Sequence, residues 1–248
     1  MQQKEWQGFS LILKELLQLK LSPVSVRCRD KKSDDEQDAV KKIRMCRAIL
    51  SAANGLSVKL FKENNACFGA SWHLGFHKIK DEKVLQMVKK FIVEGEKLFS
   101  SYQALDNLIA QMGSVPENLK SCYILEPMES AEDKPEVVIF VCNAEQACRL
   151  LTFVTFFDGK MPKIQIGGPT CRMSIVYPLL SGETNISFFD YTARKLCKVE
   201  EDKLLVSTPY SLIPKIISNI DTCSGGRAKI EFPQEFREFL QKRLVKGA

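Results

Sequence analysis

Val137-Val138-Ile139-Phe140-Val141-Cys142, followed at once by Asn143-Ala144-Glu145-Gln146, is the stretch on which the fold turns. A nearly all-apolar run over 136–142 with β-branched and aromatic members reads as a strand buried on both faces and central in a sheet. Asn143 with Gln146 three residues on is the pattern of a capping box, so the strand passes directly into a helix.

The same alternation extends in both directions from this point. Upstream, 121–126 reads as a second strand, preceded by amphipathic helices over 82–94 and 100–112. A strand at 56–61 leads through Glu63-Asn64-Asn65 into a helix over 66–76. Before it, a helix begun near Asp38 runs to Ala53 and stops at Asn54-Gly55, two residues that tolerate a left-handed backbone. A strand at 24–27 follows Pro23, and a first helix over 3–19 carries Trp6, Phe9, Leu13, Leu16 and Leu17 at helical spacing. Downstream, a strand at 163–166 runs into Gly167-Gly168-Pro169-Thr170-Cys171 and a helix. A strand at 185–189 meets Asp190 and a short helix bearing Arg194. One at 204–208 meets Pro209-Tyr210 and a helix through Ile220, and Gly225-Gly226 breaks the chain before a last short strand and a helix from Pro233. The expected fold is α/β or α+β, a mixed sheet flanked by helices in a single compact domain over 1–248, with two packed lobes as the other arrangement allowed. A mobile loop is expected at 29–37 and a C-terminal extension with a helix at 221–248.

Composition narrows the function classes. With 45% hydrophobic and 27% charged residues among 248, the chain can bury a sizeable core without staples. Nine cysteines is an odd count for a disulfide framework and points to a reducing compartment, where thiols stay free or bind metal. No apolar run approaches the roughly 20 residues that cross a bilayer, and the N-terminus shows no secretory signal, so a cytoplasmic location is expected. The net charge of +6 is interleaved with acids, as between Arg27 and Arg47, which argues against nucleic acid or membrane as a partner and leaves a small anionic ligand.

The strand-to-helix junctions hold the residues with chemical potential, because helix N-termini present unpaired N–H groups and a positive dipole end. At Gly167-Gly168 the backbone can approach a ligand closely and Thr170 can cap, although a tight turn over a buried cysteine reads equally well. No Lys follows in the Walker position. Cys67 and Cys171 each fall in the first turn of a helix, where a thiolate gains from the dipole, favouring metal ligation, redox exchange or nucleophilic attack. Cys46 shares a helix face with Ile43, Ile49 and Leu50 and reads as core. Cys28, Cys122, Cys142, Cys148, Cys197 and Cys223 have no partners at metal-ligand spacing and read as structural, and no CxxC occurs. His73 and His77, the only histidines, stand four apart and with Cys67 could furnish zinc ligands, but solvent-facing or locally hydrogen-bonded roles suit them better. Asp190 is placed as an N-cap, and Arg194 one turn on could hold an anion.

Taken in order, Ser22-Pro23-Val24-Ser25-Val26, Cys46, Lys62-Glu63-Asn64-Asn65-Ala66-Cys67-Phe68-Gly69-Ala70 with Leu74-Gly75-Phe76, and Gly167-Gly168-Pro169-Thr170-Cys171 resemble the ArCR family, domain of unknown function family 169. Asp190 with Arg194 and Ser207-Thr208-Pro209-Tyr210 fit the same pattern. The family has no settled activity. The resemblance implies that Cys46, Cys67 and Cys171 are the family-pattern cysteines, and it includes no histidine at His73. The resulting expectation is a cofactor-binding protein in which Cys46, Cys67 and Cys171 hold an iron–sulfur cluster or another soft metal, with Asn65, Gly167, Gly168, Thr170, Asp190 and Arg194 binding a small anionic ligand beside it. The alternatives are a small-molecule binding or regulatory module with structural cysteines, and a thiol enzyme with Cys171 as catalytic nucleophile but no evident base.

Overall fold

The computed structural model describes residues 4–30 and 42–245. In chain order the elements are α1 (Glu5–Leu16), β1 (Val24–Arg29), α2 (Met45–Ala53), β2 (Val58–Phe61), α3 (Phe68–His73), α4 (Glu82–Lys90), α5 (Tyr102–Met112), β3 (Cys122–Pro127), β4 (Val137–Cys142) and α6 (Ala144–Phe156). A helical stretch over 170–181 ends in α7 (Tyr177–Ser181), followed by β5 (Asn185–Ser187), α8 (Tyr191–Cys197), β6 (Leu204–Pro209), α9 (Ile213–Ser218) and α10 (Gln234–Val245).

Six strands form one sheet in the order β2-β3-β1-β4-β6-β5, and every ladder in it is antiparallel. β4 lies inside the sheet between β1 and β6, as its unbroken apolar run requires. Side chains alternate across the sheet. Val137, Ile139 and Val141 enter a core shared with α2, α3, the 170–181 helix and α8. Val138, Phe140 and Cys142 enter a second core with α1, α6 and α9. One sheet covered on both faces is a single α/β domain. The expected capping box starts α6: the Gln146 amide N–H donates to Asn143 Oδ1 at 3.0 Å and the Asn143 N–H to Gln146 Oε1 at 2.9 Å. The Gln146 side chain also donates to Leu17 O at 3.0 Å, tying the start of α6 to the end of α1.

Four local expectations change. The segment 163–166 is not a strand. It runs beside β5, but the Asn185 side chain replaces a ladder, accepting from Gln165 N–H at 2.8 Å and donating to Gln165 O at 3.1 Å, while the Asn185 backbone is paired with β6. No strand precedes α10 either. α2 starts at Met45, because Ile43 is drawn into pairing with the segment after β2, its N–H donating to Asn64 O and its carbonyl accepting from Ala66 N–H, both at 2.9 Å. α3 stops at His73 because Gly75 turns left-handed at φ +76°, with Phe76 N–H returning to Ser71 O at 2.9 Å and Gly75 N–H to Trp72 O at 3.1 Å. That is a Schellman stop, so His77 does not share a helix face with His73. Most of the expected 29–37 loop, with the helix start near Asp38, lies outside the described residues. No helix among the described residues is long and apolar enough to cross a membrane.

Candidate functional site

An antiparallel sheet has no single carboxyl edge, so the site is gathered by a face. On the face covered by α2, α3, the 170–181 helix and α8, three helix starts bring their first-turn residues to one apolar cluster. Cys46 is the second residue of α2, Cys67 is the N-cap of α3, and Cys171 is the second residue of the 170–181 helix. The late start of α2 puts Cys46 in the same class as the other two. The Cys67 sulfur accepts the Ala70 N–H at 3.4 Å.

The structure adds a cysteine that sequence reasoning assigned to packing. Cys197, the last residue of α8, is buried with its Sγ 3.4 Å from Cys46 Sγ. A signal for it was present: Asp190, Ala193 and Cys197 fall three and four residues apart, on one helix face whose first member is a site residue. Burial first, then the adjacent Cys197, pushes the Cys46 thiol well above its ordinary range, with Asp190 and Cys67 adding to the effect. Burial likewise drives Cys171 far up, with Cys67, Asp190 and Cys46 as further causes. At Cys171 desolvation acts against the thiolate stabilisation expected of a helix start. Among the described residues no three His, Cys, Asp or Glu side chains stand arranged to hold a metal ion.

The expected anion-binding residues are placed, and most are committed internally. Asp190 bridges two helix starts. Its Oδ2 accepts Thr170 Oγ1–H at 2.7 Å and Thr170 N–H at 3.3 Å, its Oδ1 accepts Ala193 N–H at 2.8 Å, and its own N–H donates back to Thr170 Oγ1 at 2.9 Å. The chain thus supplies its own carboxylate where an anionic ligand was expected. Gly167 turns left-handed at φ +93°, and a Cβ on Gly168 would meet Met173 Cε at 2.7 Å, so this glycine packs on a side chain. Arg194 closes the loop after α8, donating to Lys203 O at 2.9 Å, Glu200 O at 2.7 Å and Glu201 O at 2.9 Å. Asn65 shapes the Cys67 turn: it accepts Cys67 N–H at 3.1 Å and donates to Cys67 O at 2.8 Å and Ser71 Oγ at 2.6 Å.

His73, for which a solvent-facing or locally hydrogen-bonded role was expected, is buried and stacked on Trp72 with ring centroids 4.9 Å apart. Burial, reinforced by Arg172 and opposed by Asp190, lowers its pKa to about 4. The unfolded side chain titrates near 6.5. Between these values the unfolded chain takes a proton that the folded one refuses, so stability is complete above pH about 6.5 and falls as pH drops toward 4. At about 1.4 kcal/mol per unit the loss attributable to His73 is about 3 kcal/mol. Urea unfolding of wild type and His73→Gln at pH 7 and pH 4.5 checks this. The variant should lose distinctly less, and equal losses in both proteins exclude His73 as the cause.

A family model described as an uncharacterised ArCR family, domain of unknown function family 169, matches residues 12–219, which contain all four converging cysteines and leave α10 outside. No curated protein and no solved structure matches.

Proposed function

The chain belongs to the ArCR family, and we propose that it is a thiol-based cofactor-binding protein in which Cys46, Cys67, Cys171 and Cys197 take up a soft metal ion or an iron–sulfur cluster. The observation that carries this reading is the 3.4 Å contact between Cys46 and Cys197, made beside Cys67 and Cys171. Sulfurs bound to one tetrahedral ion with bonds of about 2.3 Å stand about 3.8 Å apart, so this pair is already near ligand spacing. Cys67, the N-cap of α3, and Cys171, in the first turn of the 170–181 helix, would complete the set. Soft thiolate donors select zinc, copper(I) or iron–sulfur clusters over hard cations. Three thiolates suffice for a cluster with one iron open to a ligand. Because burial holds Cys46 and Cys171 in the thiol form, uptake releases protons and is expected to weaken as pH falls.

The test is anaerobic purification from iron-replete cells, with an absorption spectrum and assays for iron, sulfide, zinc and copper. The expected result is one ion or cluster per chain, lost in Cys46→Ser and Cys197→Ser variants that keep the wild-type circular dichroism. Metal-free, colourless protein sinks the proposal. If that protein also titrates two thiols short of its nine cysteines, with Cys46 and Cys197 protected, the pair is a redox dithiol.

A further inference from the structure

A cavity of about 390 Å³ lies between α3, the 170–181 helix and the α4–α5 hairpin, on the outer side of the Cys171 turn. Its walls are apolar where Leu85, Ile109, Met112 and Val115 line them, and aromatic where Trp72 stacks on His73. Its polar lining is His73, Lys78, Ser114 and Arg172. The guanidinium is half-buried, with NH2 donating to Met112 O and, at 3.1 Å, to Gly113 O. Among the described residues no carboxylate pairs with it. Lys78 at the exposed rim adds a second positive charge.

A half-buried guanidinium with no carboxylate partner among the described residues is open to one brought by a ligand. Guanidinium geometry suits a planar carboxylate in a two-point contact, and the stacked Trp72 and the apolar walls suit a flat hydrophobic body. The volume falls within the range of small-molecule sites, and the depression is half open to solvent. We infer that this cavity binds a small organic carboxylate with an aromatic or bulky apolar body, held at its charged end by Arg172 and along its body by Trp72, Ile109 and Leu85. The anion site is thus set by Arg172, while Arg194 closes its loop. The hairpin that forms one wall is lightly anchored: α4 has no buried residue and α5 has Leu105 alone, which leaves a route for a ligand to enter. The inference does not rest on the thiols binding a metal.

Trp72 supplies the readout, since the chain has only two tryptophans and Trp6→Phe leaves it alone. Titration of that protein with 3-phenylpropionate is expected to change Trp72 fluorescence saturably, with the neutral 3-phenylpropionamide binding at least tenfold more weakly. Arg172→Gln should bring the carboxylate down to the level of the amide and leave the amide unaffected. No saturable change up to millimolar ligand, equal binding of acid and amide, or an undiminished Arg172→Gln variant each overturns the inference. The acid–amide comparison uses no substitution at Arg172, so it stands even if Arg172→Gln fails to fold. Because no cysteine is altered, failure here leaves the thiol proposal untouched.

Discussion

Asp190→Ala is expected to lower folding stability by about 4 kcal/mol and to separate Cys197 from Cys46. The substitution removes the acceptor for Thr170 N–H and Oγ1–H at a residue only 2% exposed, and the N-cap of α8 with it. A buried donor left without a partner costs about 1–3 kcal/mol and a lost cap about 1 kcal/mol. Asp190→Asn keeps an acceptor oxygen for the cap and should cost less than half as much. Denaturant unfolding gives both values, and the thiol–thiol contact is read by the rate at which a mild oxidant crosslinks Cys46 to Cys197, which should drop in the alanine variant. If Asp190→Ala is as stable as wild type within about 0.5 kcal/mol, the bridge between the two helix starts contributes nothing and the account of the site's frame is wrong.

Gly75→Ala is expected to cost about 3 kcal/mol. The residue sits at φ +76°, and a Cβ there would lie 2.6 Å from Pro116 O and 2.8 Å from Leu119 Cβ. Left-handed strain accounts for about 1 kcal/mol and crowding of a packed site for about 1–3 kcal/mol more. Neither neighbour can retreat easily, because Asn118 N–H donates to Gly75 O at 2.6 Å and holds the two segments together. Gly159→Ala is the control: its φ is +65° but nothing lies within 4 Å of the added carbon, so strain alone, about 1 kcal/mol, should appear. Equal losses in the two variants would remove the crowding argument. Since Gly75 ends α3 directly after Trp72 and His73, its variant should also alter the tryptophan emission, which Gly159→Ala should not.

Much of the fold was legible because periodicity and caps are local. The apolar run of β4, the Asn143–Gln146 box and the Asp190 cap need only neighbours in sequence to be read, and each lies where expected. Strand direction was not legible, since it depends on which face each connection crosses. The missed details are those in which a side chain or a distant segment takes over a backbone role. Asn185 stands in for a strand at Gln165, and Ile43 leaves its helix to pair beyond β2. In the site, the helix-start cysteines and the family pattern identified three thiols, but Cys197 comes from the far end of α8 and meets Cys46 only in space. Arg194 was read as a candidate and Arg172 was not. Both donate to backbone carbonyls, Arg194 to three in the loop after α8 and Arg172 to two after α5, and only Arg172 also lines the cavity, a placement made by the α4–α5 hairpin.

The pairing of Cys46 with Cys197 also fixes an order of events during synthesis. The two residues are separated by most of the family-matched region, so a growing chain that has not yet delivered α8 offers no such pair. A ribosome-bound fragment therefore holds Cys46 ahead of its partner, and any group that needs the Cys46–Cys197 pair can be inserted only after translation has passed residue 197 and β6 has docked beside β4 to seat the preceding helix.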